Sequence, residues 1–287
     1  MHVLILGASG SFGRAAHHAF TRAGHSVALF DRSRIDLFDA TALTRAFEGI
    51  DVVVNALNPP YDQWEDVVPG YTQAIAAAAK ETGSTVLLPG NVYNFGTSLP
   101  EHLDETTPQV ADTGKGRIRI DLERIYRDAG TRTIILRCGD FVATEPSGNW
   151  MDTYILDAKK RTVTYPGPSD LPHAWAFLPD AARAAVALCG VEDRPAFLDV
   201  PFPGWTLSGA EVHAAAERAA GATLKRKSFP WWFLALASPF APTMREVRKM
   251  RYLWNRPHRL DGSLFRTLVP DFRHTSPEEG LRPLLRP

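Results

Sequence analysis

The feature that most constrains this chain is a glycine pattern directly after its first apolar segment. Residues 2–7 read His-Val-Leu-Ile-Leu-Gly, a run typical of a parallel strand that is buried on both faces. Gly7, Gly10 and Gly13 follow at three-residue spacing, and the next residues predict a helix over 11–23. In this setting Gly7 permits a tight turn, Gly10 permits close approach of a phosphate, and Gly13 permits close packing of helix on strand. The free N–H groups at the start of the helix then predict an anion site.

Strand and helix patterns alternate through the first half of the chain. Strands are predicted over 26–30, 51–56, 85–88 and 132–137, and helices over 40–47, 64–82 and 116–128. This alternation predicts an α/β fold of the Rossmann type, with a doubly wound parallel sheet.

The second half of the chain is less regular. Helices are predicted over 152–160, 180–188, 210–220 and 244–254, and one strand over 196–200. We therefore expect a dinucleotide-binding domain over 1–140, with later returns around 174–200. Residues 141–173 and 201–287 are expected to form a smaller C-terminal substrate lobe.

An acidic residue follows the glycines at the distance expected for a dinucleotide site. Asp31 comes 18 residues after Gly13, at the end of the second predicted strand. There its carboxylate can accept hydrogen bonds from ribose hydroxyls, which favours NAD. The neighbouring Arg32 can instead bind a 2′-phosphate, which leaves NADP open. The pattern as a whole predicts NAD or NADP as the cofactor.

Composition restricts the other classes of function. The formal net charge of the 287 residues is zero, which does not point to nucleic acid or to an anionic membrane. Residues 225–287 are basic, and this tail either docks on the acidic remainder or helps to hold an anionic substrate. The longest apolar run, over 229–240, contains two prolines and is too short to span a bilayer. Cys138 and Cys189 show no CxxC or metal spacing. We expect a cytoplasmic protein without nucleic-acid, membrane or metal partners, and a homodimer is one option for its assembly.

With these motifs, the chain resembles the short-chain dehydrogenase/reductase superfamily, in its extended and atypical branches of the NAD-dependent epimerase/dehydratase type. The residues that carry the resemblance are the glycine motif, Asp36-Leu37, Asn55-Ala56-Leu57, Leu136-Arg137 and the stretch from Trp175 to Arg183. The resemblance implies that Asp36 and Leu37 flank the adenine and that Ala56 and Leu57 line the nicotinamide end. The predicted cofactor residues are then Gly7, Gly10, Ser11, Phe12, Gly13, Asp31, Arg32, Asp36, Leu37, Ala56 and Leu57.

The same resemblance implies a catalytic Ser, Tyr and Lys, which this chain does not have at the matching positions. Asn91 stands where Ser is expected, and Thr113 and Arg117 stand where Tyr and Lys are expected. A threonine hydroxyl is too weak an acid to replace a phenol, and an arginine stays protonated. Tyr93 is the candidate for a replacement acid, with a packing or substrate-contact role as the other interpretation. These four residues form the predicted catalytic set, with the usual tetrad degenerate.

The substrate residues are predicted from the variable lobe. Asn149, Trp150 and Tyr154 begin it, and His173 lies seven residues before Asp180, in a region that by the resemblance lines the substrate pocket. A surface loop is the alternative for His173. The sequence thus predicts an NAD(P)-dependent oxidoreductase or epimerase-like protein for a small or sugar-nucleotide-like substrate. The alternative is a non-catalytic NAD(P)-binding redox sensor that acts through a partner.

Overall fold

A computed structural model describes residues 1–239 and 241–286. Its strands, in chain order, are β1 (His2–Leu6), β2 (Ser26–Leu29), β3 (Val52–Asn55), β4 (Thr85–Gly90), β5 (His102–Leu103), β6 (Thr133–Arg137), β7 (Asp140–Val142), β8 (Leu156–Asp157), β9 (Thr162–Tyr165), β10 (Pro172–Phe177), β11 (Phe197–Pro201), β12 (Trp205–Ser208), β13 (Lys225–Ser228) and β14 (Arg259–Leu260). Its helices are α1 (Ser11–Arg22), α2 (Ala40–Phe47), α3 (Trp64–Thr82), α4 (Gly114–Asp128), α5 (Leu178–Cys189), α6 (Gly209–Ala220), α7 (Trp231–Ala237), α8 (Pro242–Lys249), α9 (Arg251–Trp254), α10 (Ser263–Leu268) and α11 (Pro277–Leu281).

The central element is a six-stranded parallel sheet in the order β11-β6-β4-β3-β1-β2. Its inner strands β3 and β6 are rich in apolar, β-branched residues and end in Asn55 and Arg137, and they are buried along their whole length because helices cover both faces of the sheet. This confirms the predicted α/β fold with a Rossmann-type doubly wound sheet. The strand order reverses at β1, because β2 lies on one side of it and β3 on the other. The connections after β1 and β3 therefore run to opposite sides, and a crevice opens at the carboxyl ends of these two strands.

The two faces of the sheet carry separate apolar clusters. On one face α1 packs against α5, with Phe12, Ala16 and Leu188 in the cluster. On the other face α3 lies between α2 and α4, with Leu43 and Tyr126 in the cluster. The sheet is therefore a rigid support for the loops at its carboxyl edge.

The later chain builds two three-stranded sheets, in the orders β12-β10-β7 and β13-β9-β8, and the short pair β14-β5. Trp175, Trp205 and Trp254 lie in the apolar cluster of this region. The strand β11 returns to the edge of the six-stranded sheet. We retain as a proposal that residues 141–173 and 201–287 act as one substrate lobe.

Two predicted helices of the later chain differ from the structure. The helix over 152–160 is wrong: Met151–Ile155 forms a single π-helical turn, and β8 then pairs with β9 as a hairpin. The carboxylate of Asp152 fixes the start of this turn by accepting hydrogen bonds from the N–H groups of Ser147 and Gly148, at 2.7 and 3.0 Å, and the helix ends at Leu156, whose backbone is extended with ψ 125°. The helix over 244–254 is divided at Met250, where ψ is −1° and the side chain is buried against the cleft described below.

Within residues 1–239 and 241–286, no helix is long and apolar enough to cross a membrane.

Candidate functional site

A cleft of about 720 Å³ lies at the carboxyl edge of the central sheet. Its walls come from the segments after β1, β3, β4 and β6 and from residues of the later chain. In open α/β sheets this edge, at the point where strand order reverses, is where ligands bind. The cleft is therefore the candidate functional site.

The glycine motif forms the floor of one end of this cleft. Gly7 has φ +78°, a conformation that disfavours any side chain. A Cβ on Gly13 would lie 2.2 Å from the carbonyl oxygen of Gly7, so this glycine is needed for the contact of α1 with β1. A Cβ on Gly10 would meet the same oxygen at 3.3 Å, and Gly10 itself lines the cleft. The motif thus leaves open space where a side chain at position 10 would project.

The start of α1 points its free backbone N–H groups into the same space. Among residues 1–239 and 241–286 no side chain caps this helix, and its first turn has no acidic residue. Ser11 and Phe12 of the first turn line the cleft together with Gly10. A helix N-terminus of this kind binds phosphate through its N–H groups and its dipole. Gly7, Gly10 and the first turn of α1, here called the glycine cradle, therefore fit the pyrophosphate of a dinucleotide.

The end of β2 holds the predicted adenosine residues. The carboxylate of Asp31 accepts hydrogen bonds from the Ser33 N–H at 2.9 Å and its hydroxyl at 2.6 Å, and it pairs with Arg34 at 3.2 Å. The hydrogen bonds from Ser33 are the main cause of its lowered pKa, so the group stays ionised at neutral pH. Arg32 and Leu37 line the cleft itself.

Some of the predicted cofactor residues line the cleft, and others lie behind its lining. Ala56 and Leu57 line the cleft directly after β3. Asp31, Asp36 and Gly13 lie outside the lining, and Asp36 accepts a hydrogen bond from the Phe38 N–H at 3.0 Å. The side chain of Asp36 is therefore occupied in shaping the loop after β2.

Asn91 and Tyr93 follow β4 and both line the cleft. The side-chain oxygen of Asn91 accepts the Tyr93 N–H at 3.0 Å, so its amide NH₂ group is the part available to a ligand. The carbonyl oxygen of Asn91 accepts a hydrogen bond from the buried Arg137 at 2.7 Å. Arg137 is held in turn by ion pairs with Glu123 and Asp199. This buried network fixes the loop that carries Asn91 and Tyr93.

Two phenols meet in the cleft. The hydroxyl oxygens of Tyr61 and Tyr93 lie 3.1 Å apart, and Lys115 Nζ lies 4.8 Å from the centre of the Tyr61 ring. Burial raises the pKa of Tyr61 and raises that of Tyr93 well above its ordinary value. The pair therefore keeps its protons at neutral pH and can donate one to an oxygen that gains negative charge.

Thr113 and Arg117 lie away from the cleft wall. The Thr113 hydroxyl caps α4 by accepting the Gly116 N–H at 3.1 Å, and the Arg117 side chain is exposed. The helix α4 instead turns Lys115 and Arg119 inward. These two residues are four positions apart, as in the family pattern, but they are displaced by two residues from the positions that sequence matching gave.

Arg119 is, with Tyr61 and Asp140, one of the residues on the cleft wall that the sequence analysis missed. It lines the cleft, stacks its guanidinium 4.8 Å from the Trp64 ring, and reaches the Pro89 carbonyl oxygen at 3.5 Å. Its Nε is buried and has no hydrogen-bond partner in the described part of the chain. The available signal was the four-residue spacing of Lys115 and Arg119, which puts both on one helix face.

The predicted substrate residues come from the segment after β7 and from β10. Asn149, Trp150 and Tyr154 line the cleft, and the Trp150 and Tyr154 rings are 5.0 Å apart. His173 lies one layer behind the wall, where Nε2 contacts the carboxylate of Asp140 at 2.7 Å. Asp140, which the sequence analysis did not single out, is the residue that lines the cleft.

Metal-ligating side chains and thiols are the remaining candidates for chemistry in the described part of the chain. No group of three or more metal-ligating side chains occurs within residues 1–239 and 241–286. Cys138 and Cys189 are buried free thiols, and burial raises the pKa of Cys189 to about 12 and that of Cys138 further still. A thiol in this state is a poor nucleophile.

Comparison with known proteins bears on the identity of this fold and cleft. Residues 3–195 match the NAD dependent epimerase/dehydratase family. The chain belongs to this family. No curated protein sequence matches the chain significantly.

Many solved structures share the fold over nearly the whole chain. The UDP-glucose-4-epimerase of Stenotrophomonas maltophila, with bound NAD and a formylated UDP-arabinopyranose, is 17% identical with a TM-score of 0.76, covering 99% of this chain and 97% of that one. The UDP-glucose 4-epimerase of Bifidobacterium longum, in complex with NAD⁺ and UDP, is 16% identical with a TM-score of 0.75 at the same coverage. The UDP-N-acetylglucosamine 4-epimerase of Bacillus cereus is 15% identical with a TM-score of 0.75, covering 99% and 98%. At these identities the likeness shows the common fold.

Proposed function

We propose that this chain is an NAD(P)-dependent oxidoreductase that reduces a carbonyl group of a small substrate, with the Tyr61–Tyr93 pair as the proton source. The observation that carries the proposal is the 3.1 Å contact of the two phenol oxygens in the cleft that Asn91 and the glycine motif also line. Family membership and the NAD-bound structural neighbours support the choice of cofactor.

The cofactor role rests on the space above the glycines. Gly7, Gly10 and the first turn of α1 would hold the pyrophosphate, and Ala56 and Leu57 would line the nicotinamide end. When bound, the nicotinamide group supplies or accepts a hydride. We propose NAD as the cofactor, since the ionised Asp31 suits ribose hydroxyls. Arg32 on the cleft wall is the feature that supports NADP.

The residues beyond the cradle would orient and protonate the substrate. The free amide NH₂ of Asn91 would donate to the reacting oxygen, and the Tyr93 hydroxyl would deliver a proton to it. Tyr61 would then pass its hydroxyl proton on to Tyr93, and solvent water that enters the cleft after product release would return a proton to Tyr61. Burial raises the pKa of both phenols, so both hydroxyls carry their protons at neutral pH, the form that a proton donor to a reduced carbonyl oxygen must have.

Arg119 supplies a fixed positive charge in the place of the missing lysine. Its charge works to lower the pKa of Tyr61, against the larger effect of burial. Its unpartnered Nε supports a role as a donor towards the cleft. We therefore propose Arg119 as the cation of the site, with Thr113 as a helix cap and Arg117 as a surface residue.

The test is reduction of small aldehydes and ketones by NADH, followed by loss of NADH absorbance. Tyr93→Phe should lower kcat by about 10²-fold or more, the usual size of a general-acid contribution. Tyr165→Phe is the matched control, since it also removes a buried phenol but lies off the cleft wall. Equal activity of Tyr93→Phe and wild type would remove Tyr93 from the chemistry. A wild type that binds NADH tightly but reduces no carbonyl would favour the redox-sensor alternative.

A further inference from the structure

The outer face of α7 is apolar and exposed to solvent. Every residue of this helix, from Trp231 to Ala237, is apolar. Trp232, Phe233 and Leu236 share one face because they are spaced three and four residues apart, and they are 69%, 48% and 68% exposed. A helix that is apolar on all sides is normally buried. The outer face of α7 is therefore a surface that a partner would cover.

The inner face of α7 is fixed to the protein. Leu234 is buried and packs with Phe229 and Val247 in one apolar cluster. At the start of the helix, the indole N–H of Trp231 donates to the carbonyl oxygen of Pro166 at 2.6 Å. The exposed side chains of α7 are thus carried by a helix that its own packing holds in place.

A cation lies at each end of α7. At its start the guanidinium of Arg251 lies 5.4 Å from the centre of the Trp231 ring. Directly after its end the guanidinium of Arg248 donates to the hydroxyl oxygen of Ser238 at 3.2 Å. Both arginines are exposed. The apolar face therefore has positive charge at both ends.

The strand β13, Lys225–Ser228, adds three more cations and is exposed along its whole length. Only two residues separate it from α7. Within residues 1–239 and 241–286 none of its cations forms a salt bridge; of the acids near them, Asp157 pairs with Lys160 and Glu217 with His213. The charges of β13 are therefore left for a partner.

The sequence around α7 is strongly basic as a whole. Residues 225–260 contain nine Lys and Arg residues and one acidic residue, Glu246, which pairs with Lys249. The zero net charge of the chain is an average and does not describe this segment. In a symmetric contact between two copies of this surface, the cations of one copy would face those of the other. The charge thus disfavours a second copy and favours an anionic partner.

Two other roles are possible for parts of this surface. Cations on an edge strand can prevent its pairing with another chain, but this would account for β13 and not for the exposed face of α7. Aromatic residues beside cations also bind single-stranded nucleic acid by stacking. A helix face of Trp, Phe and Leu with Lys and Arg beside it is instead typical of segments that lie in a membrane interface.

We propose that α7, β13, Arg248 and Arg251 form a docking surface for an anionic phospholipid bilayer. The three exposed side chains of α7 would enter the boundary between headgroups and acyl chains, and the cations would pair with lipid phosphates. The protein would lie on the bilayer without spanning it. Val247 packs beneath α7 and also lines the cleft, so this surface adjoins the candidate functional site. The inference goes beyond the proposed function and does not depend on it.

Sedimentation of the protein with lipid vesicles tests the proposal without any variant. One vesicle is phosphatidylcholine alone, and the other is an equal mixture of phosphatidylcholine and phosphatidylserine. The wild type should bind the mixed vesicles at least about tenfold more tightly, because each cation near an anionic surface strengthens binding about fivefold. This preference should disappear in about 1 M salt, where the Debye length is about 3 Å.

A double variant of the apolar face, Trp232→Ser with Leu236→Ser, should lower the affinity for mixed vesicles at least about tenfold, because it removes most of the inserted apolar surface. Both side chains are exposed, so the fold should persist, as circular dichroism can check. Val110→Ser is the control, since Val110 is 70% exposed and lies outside this surface.

A double variant of the strand, Lys225→Gln with Lys227→Gln, should also lower this affinity about tenfold or more. Arg45→Gln with Arg132→Gln is its control, because it changes the net charge equally at exposed positions in α2 and before β6. This control should bind the mixed vesicles as the wild type does.

Equal binding of the wild type to the two vesicles, or no binding to either, would overturn the inference. Wild-type affinity in either folded double variant of the surface would do the same. Tighter binding of a single-stranded oligonucleotide than of the mixed vesicles would assign the surface to nucleic acid instead. A wild-type dimer that Trp232→Ser with Leu236→Ser converts to a monomer in analytical ultracentrifugation would assign it to a second copy.

Discussion

Replacing Gly10 by valine and Gly13 by alanine should separate cofactor binding from folding, although both glycines belong to one motif. At Gly13 an added Cβ would lie 2.2 Å from the carbonyl oxygen of Gly7 and 2.9 Å from Cα of Ala8. Both neighbours are backbone atoms, so α1 has to move away from β1. Overpacking of this kind costs about 1–3 kcal/mol or more of the free energy of unfolding.

At Gly10 the added Cβ has room. Its nearest neighbours are the carbonyl oxygens of Gly7 and Ala56, at 3.3 and 3.7 Å, and the backbone φ of −72° is ordinary for any residue. Gly10→Val should therefore change the free energy of unfolding by no more than about 1 kcal/mol. The valine side chain would project where the pyrophosphate approaches, so NAD affinity should fall at least about tenfold, or 1.4 kcal/mol.

Urea unfolding and calorimetric titration of NAD measure the two effects on the same preparations. The expected pattern is a folded Gly10→Val that binds NAD weakly and a Gly13→Ala with a reduced free energy of unfolding. Wild-type NAD affinity in Gly10→Val would show that the phosphate site is misplaced. Wild-type stability in Gly13→Ala would refute the packing argument.

Three further predictions follow from single residues. Asp31→Ala should lower NAD affinity while NADP binding holds or improves through Arg32, and equal losses for both cofactors in calorimetry would remove Asp31 from the ribose. Thr113→Ala should cost about 1 kcal/mol of stability by loss of the α4 cap, with NAD affinity unchanged; a loss of carbonyl reduction in the folded variant would instead return Thr113 to the catalytic set. Burial lowers the pKa of His258 from 6.5 to about 3 in the folded chain, so its contribution to stability is complete above pH 6.5 and is lost as the pH falls towards 3. Between pH 6.5 and pH 3 the free energy of unfolding should therefore fall by about 1.4 kcal/mol for each pH unit because of His258. Urea unfolding of His258→Gln should lack this part of the pH dependence, and an unchanged dependence would contradict the lowered pKa of His258.

The dinucleotide half of the fold could be predicted from sequence because its signals are local. The predicted bounds of α3, 64–82, agree with the structure, because the helical periodicity ends at Gly83, which has φ +74° in the left-handed region. Strands β1 and β3 could likewise be predicted because each is a largely continuous apolar run, which is typical of a parallel strand buried on both faces of a sheet.

The position of Arg119 could not be predicted by matching positions alone. Sequence matching pointed to Thr113 and Arg117, but a shift of two residues along a helix turns a side chain by about 200° around its axis. That shift decides whether a residue faces the cleft or the solvent. Arg117 and Arg119 are the same residue type on the same helix, yet Arg117 is exposed to solvent and Arg119 lines the cleft.

The pairing of Asp140 with His173 depends on a contact between distant segments. The two residues are 33 positions apart and meet because β7 and β10 lie side by side in one sheet. No local pattern near either residue indicates that strand pair. For the same reason the sequence suggested His173 as a pocket residue and gave no sign that Asp140 stands in front of it.

Transfer of deuterium tests the central claim most directly. NADH carrying two deuterium atoms at C4 of the nicotinamide is mixed with the protein and a set of small aldehydes and ketones, and the products are analysed by mass spectrometry. The account predicts one deuterium in the alcohol formed by the wild type, and much less of this alcohol from Gly10→Val when the NADH concentration is held below the wild-type Kd. A wild type that binds NADH in calorimetry and transfers no deuterium to any of these carbonyls would contradict it.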